Sequence, residues 1–136
     1  MSNAPKTAGV TPQSPLIFVV DDEPLICEVL EIALTQGGFR VQIFTNPQAA
    51  ADAFEDAITK PNLLATDFAM PGMDGLELIR QCRVVSPALR TILFSGNLTL
   101  EMLTFEKVRP DKFINKPFIP SKFVEEVSLL LGGPGR

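Results

Sequence analysis

The stretch Leu16-Ile-Phe-Val-Val-Asp-Asp-Glu-Pro-Leu-Ile26 decides the fold. Its first five residues are all apolar, which suits a β-strand buried on both faces. The run ends at Asp21 and Asp22. Pro24 follows, near the start of a helix, where a missing N–H costs nothing. Leu25, Ile26, Val29, Leu30, Ala33 and Leu34 then recur at helical spacing, and Gly37-Gly38 supplies a stop. A buried strand, an acidic turn and an amphipathic helix form the opening unit of a parallel α/β sheet.

The same alternation continues along the chain. Arg40-Val-Gln-Ile-Phe44 alternates polar and apolar, as a half-exposed edge strand does. Asn46-Pro47 opens an Ala-rich helix expected to run through Ile58. Asn62-Leu-Leu-Ala-Thr66 reads as a second buried strand. Asp74 and Glu77 resemble a capping box ahead of Leu78, Ile79 and Cys82, and Pro87 breaks that helix. Thr91-Ile-Leu-Phe94 is the fourth strand. Asn97 can cap a short fourth helix that Pro110 must end. Lys112-Phe-Ile-Asn115 is a more polar fifth strand at the other edge. The last helix begins at Pro120 and carries Phe123, Val124, Val127, Leu130 and Leu131 on its inner side. The class is α/β: a doubly wound, three-layer fold with a five-stranded parallel sheet. Right-handed crossovers and the edge position of the second strand favour the order 2-1-3-4-5. Residues 1–14 are expected to be a flexible arm, 15–131 one domain and 132–136 a flexible tail.

Composition narrows the function. The chain has 136 residues, 46% of them apolar, enough for one domain with a real core. A net charge of −4 argues against nucleic-acid and anionic-membrane partners. No apolar run approaches the roughly 20 residues that span a bilayer, and the N-terminus lacks a secretion-signal core, so the expected location is the cytoplasm. Cys27 and Cys82 have no metal or redox spacing, and the chain contains no His, so a zinc site or a Cys-His nucleophile is disfavoured. Two reduced helix cysteines are the expectation.

Asp21-Asp22, Asp67 and Lys116 each lie at the end of a strand read above. Such ends converge on one edge of a parallel sheet, where open α/β folds bind ligands. Three carboxylates and one ammonium in one pocket suit Mg²⁺ binding and phosphoryl transfer to a carboxylate. Each residue also has a plain structural role open to it. The acidic cluster suits a helix N-terminus, Asp67 could cap a turn, Ser95-Gly96 is an ordinary strand-end turn, and Lys116 could be a solvated surface lysine. The argument rests on their recurrence at successive strand ends.

The segments Val-Val-Asp21-Asp22-Glu23-Pro24, Thr66-Asp67-Phe-Ala-Met-Pro71-Gly-Met-Asp74-Gly75, Phe94-Ser95-Gly96 and Phe113-Ile-Asn-Lys116-Pro117-Phe118 together resemble the receiver domain of bacterial two-component response regulators, over about residues 16–131. The resemblance implies the flavodoxin-like fold. It implies Asp67 as phospho-acceptor and Asp21, Asp22, Asp67 and the Ala69 backbone carbonyl around Mg²⁺. It implies Ser95 and Lys116 on the phosphoryl group, Ser95 and Phe113 as the switch, and a cis Lys116–Pro117 bond. The partners implied are a histidine kinase or histidine phosphotransfer protein as donor, with Leu25 and the Pro117-Phe118 region as docking surface. A downstream protein or a second copy would meet the face of the fourth helix, fifth strand and last helix. The domain would act on its own aspartate rather than as an enzyme on other substrates. It would be of the stand-alone, chemotaxis-regulator-like type.

Some positions depart from that pattern. Val108-Arg109-Pro110 replaces a Gly-Ala pair common before the fifth strand. Leu98, Leu100, Met102, Leu103 and Phe105 cannot all face inward on one helix, which suggests an exposed contact surface. Ile119 stands where a capping residue is commoner. Ala69 occupies the position where an aspartyl-phosphate phosphatase carries a second acid, which argues against turnover of external substrates. Ala69 and Asn97 would flank an attacking water, so their size and polarity should govern loss of the phosphoryl group. The alternative function is a receiver-like interaction module that does not use phosphorylation.

Overall fold

The computed structural model describes residues 9–96 and 108–132. Among these residues nine elements follow in order: β1 (Leu16–Val20), α1 (Pro24–Gln36), β2 (Arg40–Phe44), α2 (Pro47–Asp56), β3 (Leu63–Asp67), α3 (Gly75–Val85), β4 (Arg90–Ser95), β5 (Lys112–Asn115) and α4 (Pro120–Leu130). The short helix expected after Asn97, and its apolar residues through Phe105, lie outside the described residues.

The strands form one parallel sheet in the order β2-β1-β3-β4-β5. The three central strands are the apolar ones, and β3 is buried along its whole length. Successive strand residues face opposite sides of the sheet. Ile17, Val19, Leu63, Ala65, Ile92 and Phe94 therefore pack with Cys27, Leu30 and Leu34 of α1 and Phe123 and Val127 of α4. Phe18, Val20, Leu64 and Leu93 pack on the other face with Ala50 and Phe54 of α2 and Leu78, Ile79 and Cys82 of α3. Both thiols are buried and free, and burial pushes them up, Cys27 to about 11 and Cys82 to about 12, so neither is a nucleophile near neutral pH.

Local chemistry moves a few boundaries from those expected. α2 stops at Asp56, two residues before Ile58, because Lys60 folds back and donates to the carbonyls of Phe54 and Glu55 at 2.7 and 2.8 Å. An ammonium on terminal carbonyls satisfies them and favours a helix end. Asn62 lies outside β3 but is tied to β1, accepting from the Leu16 N–H through its side chain at 2.8 Å. Asp74 caps α3 by accepting from the Glu77 N–H at 2.8 Å, but the Glu77 carboxylate turns to Arg80 and Gln81 instead of completing a box. Residues 11–14, grouped with the arm in the sequence, form a turn in which Ser14 is buried and its carbonyl accepts from Arg40 at 2.8 Å. Among the described residues no helix is long and apolar enough to cross a membrane.

Candidate functional site

The order of the strands puts the ends of β1 and β3 side by side, with β4 and β5 beyond them. Each central strand carries an apolar run toward that edge and meets a polar residue at or just beyond its end. Asp21 follows β1 directly, Asp67 closes β3, Ser95 closes β4 and Lys116 follows β5. Lys116 is drawn in by its backbone, since its N–H donates to the Ser95 carbonyl at 2.9 Å. The following Lys116–Pro117 peptide is cis.

Asp21, Asp22 and Asp67 each present a carboxylate oxygen within 4.8 Å of the others. Asp21 and Asp67 are buried and Asp22 is exposed, so the cluster opens to solvent on one side. Asp21 is fixed twice: Oδ1 accepts from the Glu23 N–H at 2.9 Å, and Oδ2 accepts from Lys116 Nζ at 2.8 Å. Lys116 Nζ also lies 3.3 Å from Asp67 Oδ1 and 3.4 Å from Glu23 Oε1. Its ammonium stands 5.5 Å from the centre of the Phe94 ring, a cation–π distance.

Asp67 is held from behind as well as in front. Its carbonyl accepts from the Thr66 hydroxyl at 2.9 Å, and the next N–H, of Phe68, donates to the Phe94 carbonyl at 2.9 Å. The Phe68 carbonyl in turn accepts from the Gly75 N–H at 2.8 Å, which ties the start of α3 to the end of β3. A Cβ on Gly75 would collide with the Asp67 carbonyl oxygen, so only glycine allows this approach.

Burial raises the Asp67 carboxyl to about 6, with the Asp21 charge adding to the shift and Lys116 opposing it. Burial also raises Asp21, against the pull of Lys116 and the Glu23 N–H. Burial alone would lower Lys116, but its bonds to Asp21 and Asp67 prevail and raise it. The pocket is therefore short of positive charge. Three carboxylates against one ammonium leave two net negative charges, which one divalent cation balances. The donors are all carboxylate oxygens, the ligand type that hard cations such as Mg²⁺ take, so the residues fit that ion.

The remaining expected residues sit around this cluster. Ser95 is buried and pairs in register with Asn115 across β4 and β5. Ala69 is exposed, two residues beyond Asp67 in the loop to α3. Phe113, on β5, is half-buried against the core beneath α2 and α3. The sequence reading passed over Glu23 and Phe94 as partners of Lys116. Glu23 follows the acidic pair directly, within a segment that resembles the receiver pattern and also suits a helix start. Nothing in sequence spacing links it to a lysine 93 positions away.

Residues 17–128 match the response regulator receiver domain family, and the chain belongs to it. The response regulator MtrA of Mycolicibacterium smegmatis, named as DNA-binding, is 30% identical over 111 residues, which is 82% of this chain and 48% of that protein. The DNA-binding transcriptional regulator NtrC of Escherichia coli is 36% identical over 89 residues, 65% of this chain and 19% of the relative. The chain thus spans about half or less of the length of these relatives. Among solved structures, a CheY-like receiver domain protein from Methanospirillum hungatei JF-1 superposes with a TM-score of 0.80 at 26% identity, covering 87% of this chain and 94% of that one. The receiver domain of a signal transduction histidine kinase from Syntrophus aciditrophicus gives 0.76 at 26% identity, covering 87% and 90%.

Proposed function

We propose that this receiver domain accepts a phosphoryl group on Asp67 from a phosphohistidine of a histidine kinase or phosphotransfer protein, in the cytoplasm, and signals through a protein partner. The observation that carries this is the buried Asp67 carboxylate with Lys116 Nζ at 3.3 Å and two further carboxylates beside it.

In this reading an Asp67 carboxylate oxygen attacks phosphorus in line. The new O–P bond forms as the P–N bond of the donor breaks. The electron pair stays on the imidazole nitrogen, which takes a proton from water. A carboxylate needs no deprotonation before attack, so the pocket works by positioning and charge rather than by acid–base chemistry. Asp21, Asp22, Asp67 and the Ala69 carbonyl would hold Mg²⁺, which supplies positive charge for the phosphoryl oxygens when bound. Lys116 and Ser95 pair with those oxygens. Lys116 keeps its aim through Phe94 and the backbone bond to Ser95.

Phosphorylation replaces the single charge of Asp67 with about −1.5 to −2, taking the values of other phosphorylated side chains. Lys116 and Ser95 are the nearest groups to answer that change. A shift of Ser95 frees space for Phe113, which is only half-buried, and its rotation reports the change at the β5 edge of the sheet, on the side that packs against α2 and α3. Leu129 of α4 is 70% exposed, as an unpartnered contact residue would be. For the donor protein, a groove of about 360 Å³ is lined by Ile26, Val29, Lys116, Pro117, Phe118 and Pro120, beside the exposed Leu25. That groove shares Lys116 with the acidic pocket, so a partner docked there stands next to Asp67.

The test is intact-mass measurement after incubation with acetyl phosphate, with and without Mg²⁺. A gain of one phosphoryl group that needs Mg²⁺ and disappears in Asp67→Asn is the expected result. A folded, Mg²⁺-binding wild type that gains nothing contradicts the proposal.

A further inference from the structure

We infer that Glu23 is a positioning residue which, by competing for Lys116 at the mouth of the pocket, weakens its hold on dianionic phosphoryl donors. The inference rests on the phospho-acceptor reading and adds a charge-selective gate to it.

Four observations carry it. Glu23 is the N-cap residue of α1, the position whose side chain ordinarily accepts from an N–H of the first turn, yet its side chain makes no capping bond. The carboxylate instead points to Lys116, with Oε1 at 3.4 Å from Nζ. Its side chain is 66% exposed, so it stands at the entrance rather than in the floor of the pocket. It is also outside the three-carboxylate set able to share a cation.

The consequence follows from charge. Among the described residues Lys116 has three carboxylate partners, Asp21, Asp67 and Glu23. A cation held by Asp21, Asp22 and Asp67 offsets the first two, and Glu23 then remains the one partner with its charge uncompensated. Lys116 must divide itself between Glu23 and the oxygens of an arriving phosphoryl group. Glu23 also repels a dianion on approach, and a monoanion about half as strongly. Exposed ion pairs are weak, so the effect is a few-fold and screened by salt.

The experiment compares Glu23→Gln with wild type in the full chain at saturating Mg²⁺. Initial phosphorylation rates are measured against the concentration of acetyl phosphate, a dianion, and phosphoramidate, a monoanion at neutral pH. The half-saturating acetyl phosphate concentration should fall about three-fold in Glu23→Gln, with the maximal rate changed less than about two-fold. The phosphoramidate value should fall distinctly less, and Glu23→Asp, which keeps the charge, should behave much as wild type. No shift, or an equal shift for both donors, overturns the inference.

Beryllofluoride binding followed by ¹⁹F NMR separates this result from the fate of the phospho-acceptor reading, because it requires no group transfer. Glu23→Gln should bind it about two-fold more tightly. A wild type that binds beryllofluoride but accepts phosphoryl from neither donor contradicts the function alone, and the two affinities still decide on Glu23. Equal affinities overturn the inference, and a wild type that neither binds beryllofluoride nor accepts phosphoryl from either donor overturns both.

Discussion

Lys116 Nζ lies 2.8 Å from Asp21 Oδ2, closer than it comes to Asp67. The lysine therefore spends its charge on the same carboxylate that a divalent cation would need. Lys116→Met should raise Mg²⁺ affinity about five-fold, because it removes a competing cation from the pocket. If Asp67 is the phospho-acceptor, the same variant should accept phosphoryl from acetyl phosphate at least about ten-fold more slowly, because it removes the ammonium 3.3 Å from Asp67. Calorimetric Mg²⁺ titration and a labelling time course read the two effects separately. Weaker Mg²⁺ binding in the variant would contradict the competition.

The acidic pocket makes the metal-free protein sensitive to pH in an unusual direction. Asp67 titrates near 6 in the fold against an ordinary value of 3.8, so the folded state binds the proton more tightly. Stability of the metal-free chain should fall as pH rises from about 4 to about 6, and stay reduced above that. Asp21, also raised, acts in the same sense. Glu77 is lowered to about 2 by Arg80 and Gln81, so its contribution runs the other way, growing with pH in a window below this one. Because a cation needs the deprotonated carboxylates, Mg²⁺ should raise Tm more above pH 6 than below 5. Thermal melts with chelator and with Mg²⁺ across this range test the sign. A metal-free Tm that climbs through the interval contradicts it.

Gly75 brings the start of α3 against the end of β3. An added Cβ would meet the Asp67 carbonyl oxygen and sit 2.7 Å from Leu93 Cδ1. The backbone oxygen cannot yield as a flexible side chain could. Gly75→Ala should cost about 1–3 kcal/mol in denaturant unfolding and weaken Mg²⁺ binding as the loop is pushed away. A variant as stable as wild type would mean that α3 is held at a greater distance.

At the opposite end of the sheet, Asp111 joins three elements. Its Oδ2 accepts from the Thr91 N–H at 2.8 Å and from Arg83 of α3 at 3.0 Å. Arg83 also donates to the Thr91 hydroxyl at 2.9 Å and the Arg109 carbonyl at 2.6 Å. Asp111→Ala leaves the N–H of buried Thr91 without this acceptor and should cost about 1–3 kcal/mol. Since it lies far from the carboxyl edge, Mg²⁺ affinity should be unchanged, which calorimetry can check.

The fold was legible because each central strand contains a run of three or more apolar residues and each helix start carries Pro, Asn or Asp. The site was legible because its residues sit where those runs stop. What sequence alone did not reveal was side-chain direction. Lys60 ends α2 early by reaching back to Phe54 and Glu55. Glu77 has a capping-box position but two partners, Arg80 and Gln81, one turn along the helix. Glu23 has a cap position and instead crosses to Lys116. Each choice depends on long, rotamer-rich side chains whose partners are set by the packed fold, not by local spacing.

Phosphoryl acceptance at Asp67 is the central claim, and borohydride trapping tests it most directly. Borohydride reduces an aspartyl phosphate to homoserine, which peptide mass spectrometry can locate. After treatment with acetyl phosphate and Mg²⁺, homoserine should appear at position 67, and be absent without Mg²⁺ or without donor. Homoserine at another aspartate, or at none while the protein is folded and binds Mg²⁺, would contradict the account.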